Sequence, residues 1–519
     1  MNALHPPVNT AAPRPTWKIA LPDMAATEQL AHVLIEELKP GDLVTLSGGL
    51  GAGKTTLART IIRALANDPG LEVPSPTFTL MQVYEAPAAP VIHADFYRLG
   101  SAHELTELGW EEQAEGAIVL VEWPDRADEA LNPTRLDISL ELVPSRGPQA
   151  RLATLTAGGA FGARLERMKA LQTLFQRSGW TDAARIPIQG DASTRAYERL
   201  VKPSGETAIL MISPPRPDGP PVRRGKPYSA IAKLAESVHA FVAIDRGLRA
   251  LQLSAPRIFG EDLDAGLLIL EDLGQQGVVD AQGPIPERYG EATRLLARLH
   301  TTTLPNVLPV TDGHDHVIPH YDLEALLIEV ELLADWYVPH IIGSQLSGSA
   351  RAEFVNLWSE TLMAIVSAPS TWALRDYHSP NLIWLPDREG IKRVGLIDFQ
   401  DAVLGHPSYD TVSLLQDARV TVPAELELKL LGLYTRERKA LDPTFDMAEF
   451  AYAYAILGAQ RATKILGIFA RLDKRDGKPQ YLAHLPRLEA YLARNLTHPA
   501  LSKLRVWYQT HLPHLVGAA

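Results

Sequence analysis

Two sets of residues in this sequence have the types and the spacing that phosphoryl chemistry needs. The first is Gly48-Gly49-Leu50-Gly51-Ala52-Gly53-Lys54-Thr55, a complete G-x-x-x-x-G-K-T phosphate loop. Its glycines let successive backbone N–H groups turn on a polyphosphate, and the helix start behind them adds positive potential. Lys54 would neutralise the outer phosphates and the Thr55 hydroxyl would ligate Mg2+. Gly48, Gly51, Ala52, Gly53, Lys54, Thr55 and Thr56 are therefore candidate nucleotide contacts. The second set is Asp376-Tyr377-His378-Ser379-Pro380-Asn381, followed by Asp398 after two apolar runs. In such a spacing an Asp accepts the proton of a substrate hydroxyl, an Asn binds metal, and an Asp beyond the next strand bridges Mg2+ to the phosphates.

Each set needs elements to hold it. The run 43–46 reads as a buried strand, and 55–65 places Leu57, Ile61 and Leu65 on one helical face, so the phosphate loop has the strand-to-helix context it requires. A further helix is expected over 25–38, and β-like segments over 77–84, 91–96, 117–122 and 136–142. Asp95 and Glu122 fall at the ends of two of these segments, where an open α/β sheet has its ligand crevice. They are the carboxylates expected to hold Mg2+ or to orient an attacking water. These elements predict an α/β P-loop domain over 24–145, preceded by a loose leader over 1–23 and followed by a Pro- and Gly-bearing linker over 146–163. From Arg164 the pattern restarts with a helix, then strands over 196–201, 207–212 and 267–271, then an almost wholly helical chain beyond Arg288. Runs 382–385 and 394–397 read as a hairpin between Asn381 and Asp398. The second domain, 164–519, is thus expected to be an α+β unit with a small β-containing lobe and a helical lobe. Its Pro-rich, basic stretch 214–227 reads as a solvated loop.

Composition narrows the partners. With 50 Lys+Arg against 61 Asp+Glu the net charge is -11, so no global basic field recruits nucleic acid, and strong direct nucleic-acid binding is not expected. The chain has no cysteine, which rules out disulfides and thiolate metal sites and suits a cytoplasmic protein. No apolar run approaches membrane-spanning length and 1–17 lacks a signal-peptide core, so no membrane association is expected.

The strings Ser75-Pro76-Thr77-Phe78-Thr79, His93-Ala94-Asp95-Phe96-Tyr97-Arg98 and Val121-Glu122-Trp123-Pro124, in this order after the phosphate loop, closely resemble the TsaE family, the small ATPase of bacterial tRNA threonylcarbamoyladenosine synthesis. The resemblance covers about residues 24–143. It implies an ATPase in which Thr55 and Glu122 ligate Mg2+, Asp95 is needed for hydrolysis, Thr77 lies in a nucleotide-sensing loop and Trp123 stands beside the site. It also implies TsaD and TsaB proteins as partners.

The Asp376 to Asn381 string, Ile397-Asp398-Phe399-Gln400-Asp401 and Gly405-His406-Pro407-Ser408-Tyr409-Asp410 resemble the aminoglycoside phosphotransferase family over about residues 168–500. Gly190-Asp191-Ala192-Ser193 with Arg195, and Ile269-Leu270-Glu271-Asp272-Leu273-Gly274, are similar to the kinases that phosphorylate the anomeric hydroxyl of N-acetylmuramate or N-acetylglucosamine. The resemblance implies Asp376 as base, Asn381 and Asp398 as metal ligands, Ser193 and Arg195 on the loop covering ATP, and Glu271 to Leu273 as the hinge near adenine. His378 is expected to order the loop rather than to react. Two departures stand out: Leu374-Arg375-Asp376 replaces His-Gly-Asp, and Met211 occupies the position of the strand lysine, as the sugar-kinase group's own lack of that lysine implies. Arg195 is expected to supply the missing positive charge. Two alternatives stand beside this expectation: a second domain that binds nucleotide or a partner without catalysis, and a kinase for another hydroxylated substrate such as an aminoglycoside.

Overall fold

The structure is a computed structural model and describes residues 14–101, 103–107, 109–188, 195–215, 219–311 and 313–517. The chain divides into two compact units, the first ending at Thr181 and the second beginning at Asp182.

The first unit runs β1 (Thr16–Leu21), α1 (Met24–Ile35), β2 (Leu43–Ser47), α2 (Lys54–Leu65), β3 (Met81–Tyr84), β4 (Val91–Asp95), α3 (His103–Glu107), α4 (Trp110–Ala114), β5 (Ile118–Glu122), β6 (Leu136–Leu142), β7 (Arg151–Ala157) and α5 (Ala160–Ser178). The strands form one sheet in the order β1-β7-β6-β2-β5-β4-β3. Its centre is parallel, β2 pairing with β5 and β6 and β4 with β5, and its margins are antiparallel. Because side chains alternate along a strand, the apolar runs of the centre cover both faces. Val44, Leu46, Ile118 and Leu120 pack against Leu30 and Leu34 of α1, Leu57 and Ile61 of α2 and Leu165 of α5. Leu43, Ile92, Val119 and Val121 meet Leu105 and Trp110 on the other face. The register sets Leu46 opposite Glu122 and Glu122 opposite Asp95, so the carboxyl ends of the three central strands lie level beside the phosphate loop.

Three expectations need correction here. Residues 146–163 are not a linker: β7 inserts between β1 and β6, and α5 buries Phe161, Leu165 and Met168 in the core of the first sheet. Arg164 Nη2 pairs with Asp42 Oδ1 at 2.6 Å, so the helix assigned to the start of the second domain closes the first unit. The stretch 1–23 is not loose throughout, since β1 pairs along its whole length with β7; residues 1–13 lie outside the described residues. The segment expected as a strand from Thr77 pairs only from Met81, and Thr77 itself stands in the preceding loop.

The second unit opens with a five-stranded antiparallel sheet in the order Ile258–Asp262, Leu267–Glu271, Thr207–Ile212, Ala196–Val201, Ala184–Ile188. Helix Val238–Ala250 packs into its apolar core. The helical part is built on Met447–Asp476, a helix of 30 residues capped by Asp446, whose side chain accepts from the Ala448 and Glu449 amides, and ended by Gly477 at φ 64°. The chain beyond Arg288 is less uniformly helical than expected: Val307–Thr311 pairs with His314–Val317, Thr371–Ala373 with Val403–Gly405, and Leu382–Trp384 with Val394–Leu396. The last of these is the hairpin anticipated between Asn381 and Asp398. Within 214–227, Pro221–Arg223 and Lys226–Pro227 form a short hairpin, and Arg223 reaches Glu331 at 2.7 Å, so this end of the stretch is anchored rather than merely solvated. Among the described residues no helix is long and apolar enough to cross a membrane.

Candidate functional sites

In the first unit the phosphate loop joins β2 to α2. Gly48 has φ +134° and a Cβ there would lie 2.3 Å from the Leu140 carbonyl oxygen, so no side chain fits. Gly53 has φ +106° and packs under Arg151, whose Nε donates to the Ala52 carbonyl at 2.7 Å. Arg151 comes from β7, beyond the expected domain end, and only the sheet pairing brings it to the loop. Lys54 Nζ donates to the Gly48 and Gly49 carbonyls at 2.9 and 3.1 Å and stands 3.8 Å above the Trp123 ring. Burial lowers its pKa against the opposing pull of Glu122 and Asp95. Trp123 is held at φ 58°, and its ring also meets Tyr97 at 5.1 Å.

The carboxylates gather as expected. Thr55 Oγ1 donates to Glu122 Oε2 at 2.9 Å. That separation matches the edge of an octahedron with ligands at about 2.1 Å, so the pair fits a single Mg2+. Asp95 accepts from the Thr77 and Ser75 hydroxyls at 2.6 and 2.8 Å and from the Tyr97 amide at 2.9 Å. His93, not foreseen as a site residue, is fully buried and its Nε2 lies 2.9 Å from Glu122 Oε1, which fixes the carboxylate's orientation. Its place two residues before Asp95 on β4, hence on the same face, was the available signal.

In the second unit a cleft of about 730 Å³ is lined by Arg195, Tyr197, Glu271, Leu273, Asp376, His378, Asn381 and Asp398. Ser193 lies outside the described residues. The loop carrying Asp376 is fixed by two buried carboxylates: Asp410 accepts from the Leu374 and Arg375 amides at 2.7 and 2.9 Å, and Asp417 accepts from the Ser379 amide and hydroxyl at 2.8 and 2.6 Å. The replacement of Gly by Arg375 also finds its reason. Arg375 has φ 66°, the left-handed conformation that glycine adopts without strain, and its buried guanidinium donates to the Ala232 carbonyl at 2.9 Å and to Glu329 at 2.6 Å.

Asp376 keeps 41 % of its side chain open to the cleft. Burial would raise its carboxyl, but His378 when protonated at low pH, together with the fields of Lys464, Arg375 and Arg461, outweighs that and holds it below the usual carboxylate range, ionised at neutral pH. Burial pushes the His378 imidazole down to about 4, so this histidine is neutral near pH 7 and has no proton to give. Asn381 Nδ2 donates to the Asp376 carbonyl at 3.0 Å, which leaves its amide oxygen as an acceptor. Asp398, at φ 58°, is raised by burial and by the charge of Asp376, an excess of negative charge that a divalent cation would relieve. Arg195 Nη1 is 3.6 Å from Asp398 Oδ1. The Glu271 carboxylate accepts from Arg388 at 2.9 Å and from the Arg257 amide at 3.0 Å, so its side chain is already occupied at the hinge.

Met211 is fully buried in the sheet core, so no strand lysine enters this cleft. Protein kinases pair that lysine with a helix acid. The buried acid of helix Val238–Ala250, Asp245, has an Oδ1 without a hydrogen bond, and burial raises its carboxyl to about 7. The native state therefore binds the proton that the unfolded chain loses above about pH 4, and stability falls as pH rises toward 7. Asp245→Asn removes this dependence. In paired thermal melts, the stability of wild type relative to the variant should fall by at most about 1.4 kcal/mol per pH unit from pH 4 to 7 and then level off.

The folds and sites define a P-loop ATPase unit followed by a phosphotransferase unit of the kinase-like class. The family model described as "Threonylcarbamoyl adenosine biosynthesis protein TsaE" matches residues 21–148, and that described as "Phosphotransferase enzyme family" matches 185–444. An N-acetylmuramate/N-acetylglucosamine kinase of Caulobacter vibrioides is 39% identical over 360 residues, 67% of this chain and 97% of its own. One of Pseudomonas aeruginosa with the same name is 30% identical over 344 residues, 64% of this chain and 91% of its own. A tRNA threonylcarbamoyladenosine biosynthesis protein TsaE of Rickettsia felis is 40% identical over 173 residues, 33% of this chain and 94% of its own. The chain belongs to the TsaE family through its first unit and to the phosphotransferase enzyme family through its second, a fusion of two enzyme families.

Proposed function

We propose that this chain carries two ATP- and Mg2+-dependent activities in the cytoplasm: hydrolysis of ATP in support of tRNA threonylcarbamoyladenosine formation, together with TsaD- and TsaB-like proteins, and transfer of the γ-phosphoryl group of ATP to the anomeric hydroxyl of N-acetylmuramate or N-acetylglucosamine. The observation that carries the second activity is the convergence of Asp376, Asn381 and Asp398 on one cleft. A module that only binds nucleotide has no use for an ionised carboxylate open to a substrate.

In the kinase unit Asp376 accepts the proton of the sugar hydroxyl as its oxygen attacks the γ-phosphorus, and the bond from that phosphorus to the bridging oxygen of ADP breaks. Mg2+, when bound by Asn381 and Asp398, supplies charge neutralisation at the phosphates. Arg195 adds a fixed positive charge on the Asp398 side of the cleft, the role left open by Met211. In the ATPase unit Lys54 and the phosphate-loop amides hold the nucleotide, Thr55 and Glu122 hold the metal, and Asp95 orients the attacking water. Trp123 and Thr77 border the site.

The test is direct. The full-length protein is incubated with Mg-ATP and either sugar, and the product is identified by phosphorus NMR and mass spectrometry. A sugar 1-phosphate is expected. Its absence with both sugars would favour a nucleotide-binding module that regulates the ATPase.

A further inference from the structure

The long helix Met447–Asp476 sends Arg461 and Lys464, three residues apart and so on one face, to the wall of the kinase cleft. The two cations differ in what they meet. Lys464 Nζ donates to Glu329 at 2.7 Å and to the Tyr409 hydroxyl at 3.3 Å, so its charge is matched inside the protein. Arg461 is 4 % exposed. Among the described residues its guanidinium forms neither a hydrogen bond nor an ion pair. A guanidinium cannot shed its proton, and burying one with no acceptor bonded to it directly is costly unless a ligand supplies one. Such an arrangement points to an anionic group that arrives with a substrate.

The position of Arg461 separates the candidates. The hinge residues Glu271 to Leu273 and the group Asn381, Asp398 and Arg195 account for the nucleotide side of the cleft under the proposed function. Lys464, on the same helix face, shares Glu329 with Arg375, the residue before Asp376, so that face lies beside the base, and the field of Arg461 accordingly reaches Asp376 and His378. Arg461 therefore stands on the side of the base, where the acceptor must lie. The anion that an acidic sugar would bring to this place is a carboxylate, which a guanidinium grips through two parallel N–H···O bonds.

We propose that Arg461 binds a carboxylate on the acceptor sugar and makes this unit selective for an acidic amino sugar. The inference rests on the reading of the second unit as a sugar kinase. Of the two acceptors, N-acetylmuramate carries such a group on its lactyl ether and N-acetylglucosamine does not. The same cation, beside Lys464, disfavours a polycationic aminoglycoside.

The experiment compares N-acetylmuramate with its methyl ester, which keeps the shape and removes the charge, by calorimetric titration of the full chain with Mg-ADP present. KM values for both sugars and for ATP are measured alongside. Wild type should bind the acid about 10- to 100-fold more tightly than the ester. Arg461→Met should bring the two together, and Arg461→Lys should restore part of the preference. In turnover, the kcat/KM ratio of N-acetylmuramate over N-acetylglucosamine should fall by a similar factor in Arg461→Met, through KM. Equal binding of acid and ester by wild type would overturn the proposal, as would an Arg461→Met effect that falls on KM for ATP or equally on both sugars. If neither sugar is phosphorylated by wild type, the kinase reading fails, and the acid-against-ester titration still decides whether Arg461 receives a carboxylate.

Discussion

Replacing Asp376 by Asn should lower kcat for sugar phosphorylation by about 10²- to 10⁴-fold, the usual contribution of a positioned base. ATP hydrolysis by the first unit should remain unchanged. The substitution keeps the size and one acceptor oxygen but cannot take up a proton. Its effect should be confined to chemistry, because the Asp376 side chain does not hold the loop. That work is done by Asp410 and Asp417, through the amides of Leu374, Arg375 and Ser379, and by the Ser413 hydroxyl, which donates to the Arg375 carbonyl at 3.0 Å. Loss of the attraction to Lys464, Arg375 and Arg461 outweighs relief of the repulsion on Asp398, so the thermal midpoint of the variant at neutral pH should lie at or somewhat below that of wild type. Direct detection of sugar phosphate gives the rate, free of ADP released by the other unit. An unchanged rate would mean that another group takes the proton.

The mirror-image substitution, Lys54→Ala, should lower ATP hydrolysis by the first unit about 10²- to 10³-fold while sugar phosphorylation persists. Lys54 Nζ rests on the Gly48 and Gly49 carbonyls and over the Trp123 ring, contacts that hold the ammonium at the mouth of the loop. Burial already weakens its proton affinity, so a triphosphate placed against it gains a cation that water does not fully solvate. Phosphate release measured without sugar, with and without TsaD- and TsaB-like proteins, reads this rate. Retention of full activity would move the nucleotide elsewhere.

What the sequence discloses of these sites is what lies close along the chain. The phosphate loop, the Asp376 to Asn381 spacing and the hairpin leading to Asp398 are local patterns whose physics is complete within a few residues. Arg151 and Glu329 act across the fold, and nothing in their immediate neighbours marks them, whereas His93 and Asp410 stand inside recognisable strings that do not say which partner they meet. The misplaced domain end has a similar cause. Arg151–Ala157 alternates as a strand should, but it is short and flanked by Ser145-Arg146-Gly147-Pro148 and Gly158-Gly159, which read as a seam until β1 and β6 supply the hydrogen bonds on either side. Arg375 illustrates a third case. A substitution that looked like a departure from the family sits in the left-handed conformation that suits glycine and adds a buried ion pair with Glu329, which no local rule anticipates.

Two separate nucleotide sites in one polypeptide underlie both activities, and calorimetric titration of the full chain with Mg2+ and a non-hydrolysable ATP analogue tests this most directly. Two molecules should bind per chain, Lys54→Ala should abolish one site and Asp398→Asn the other. A stoichiometry of one, or a single substitution that removes all binding, would contradict it.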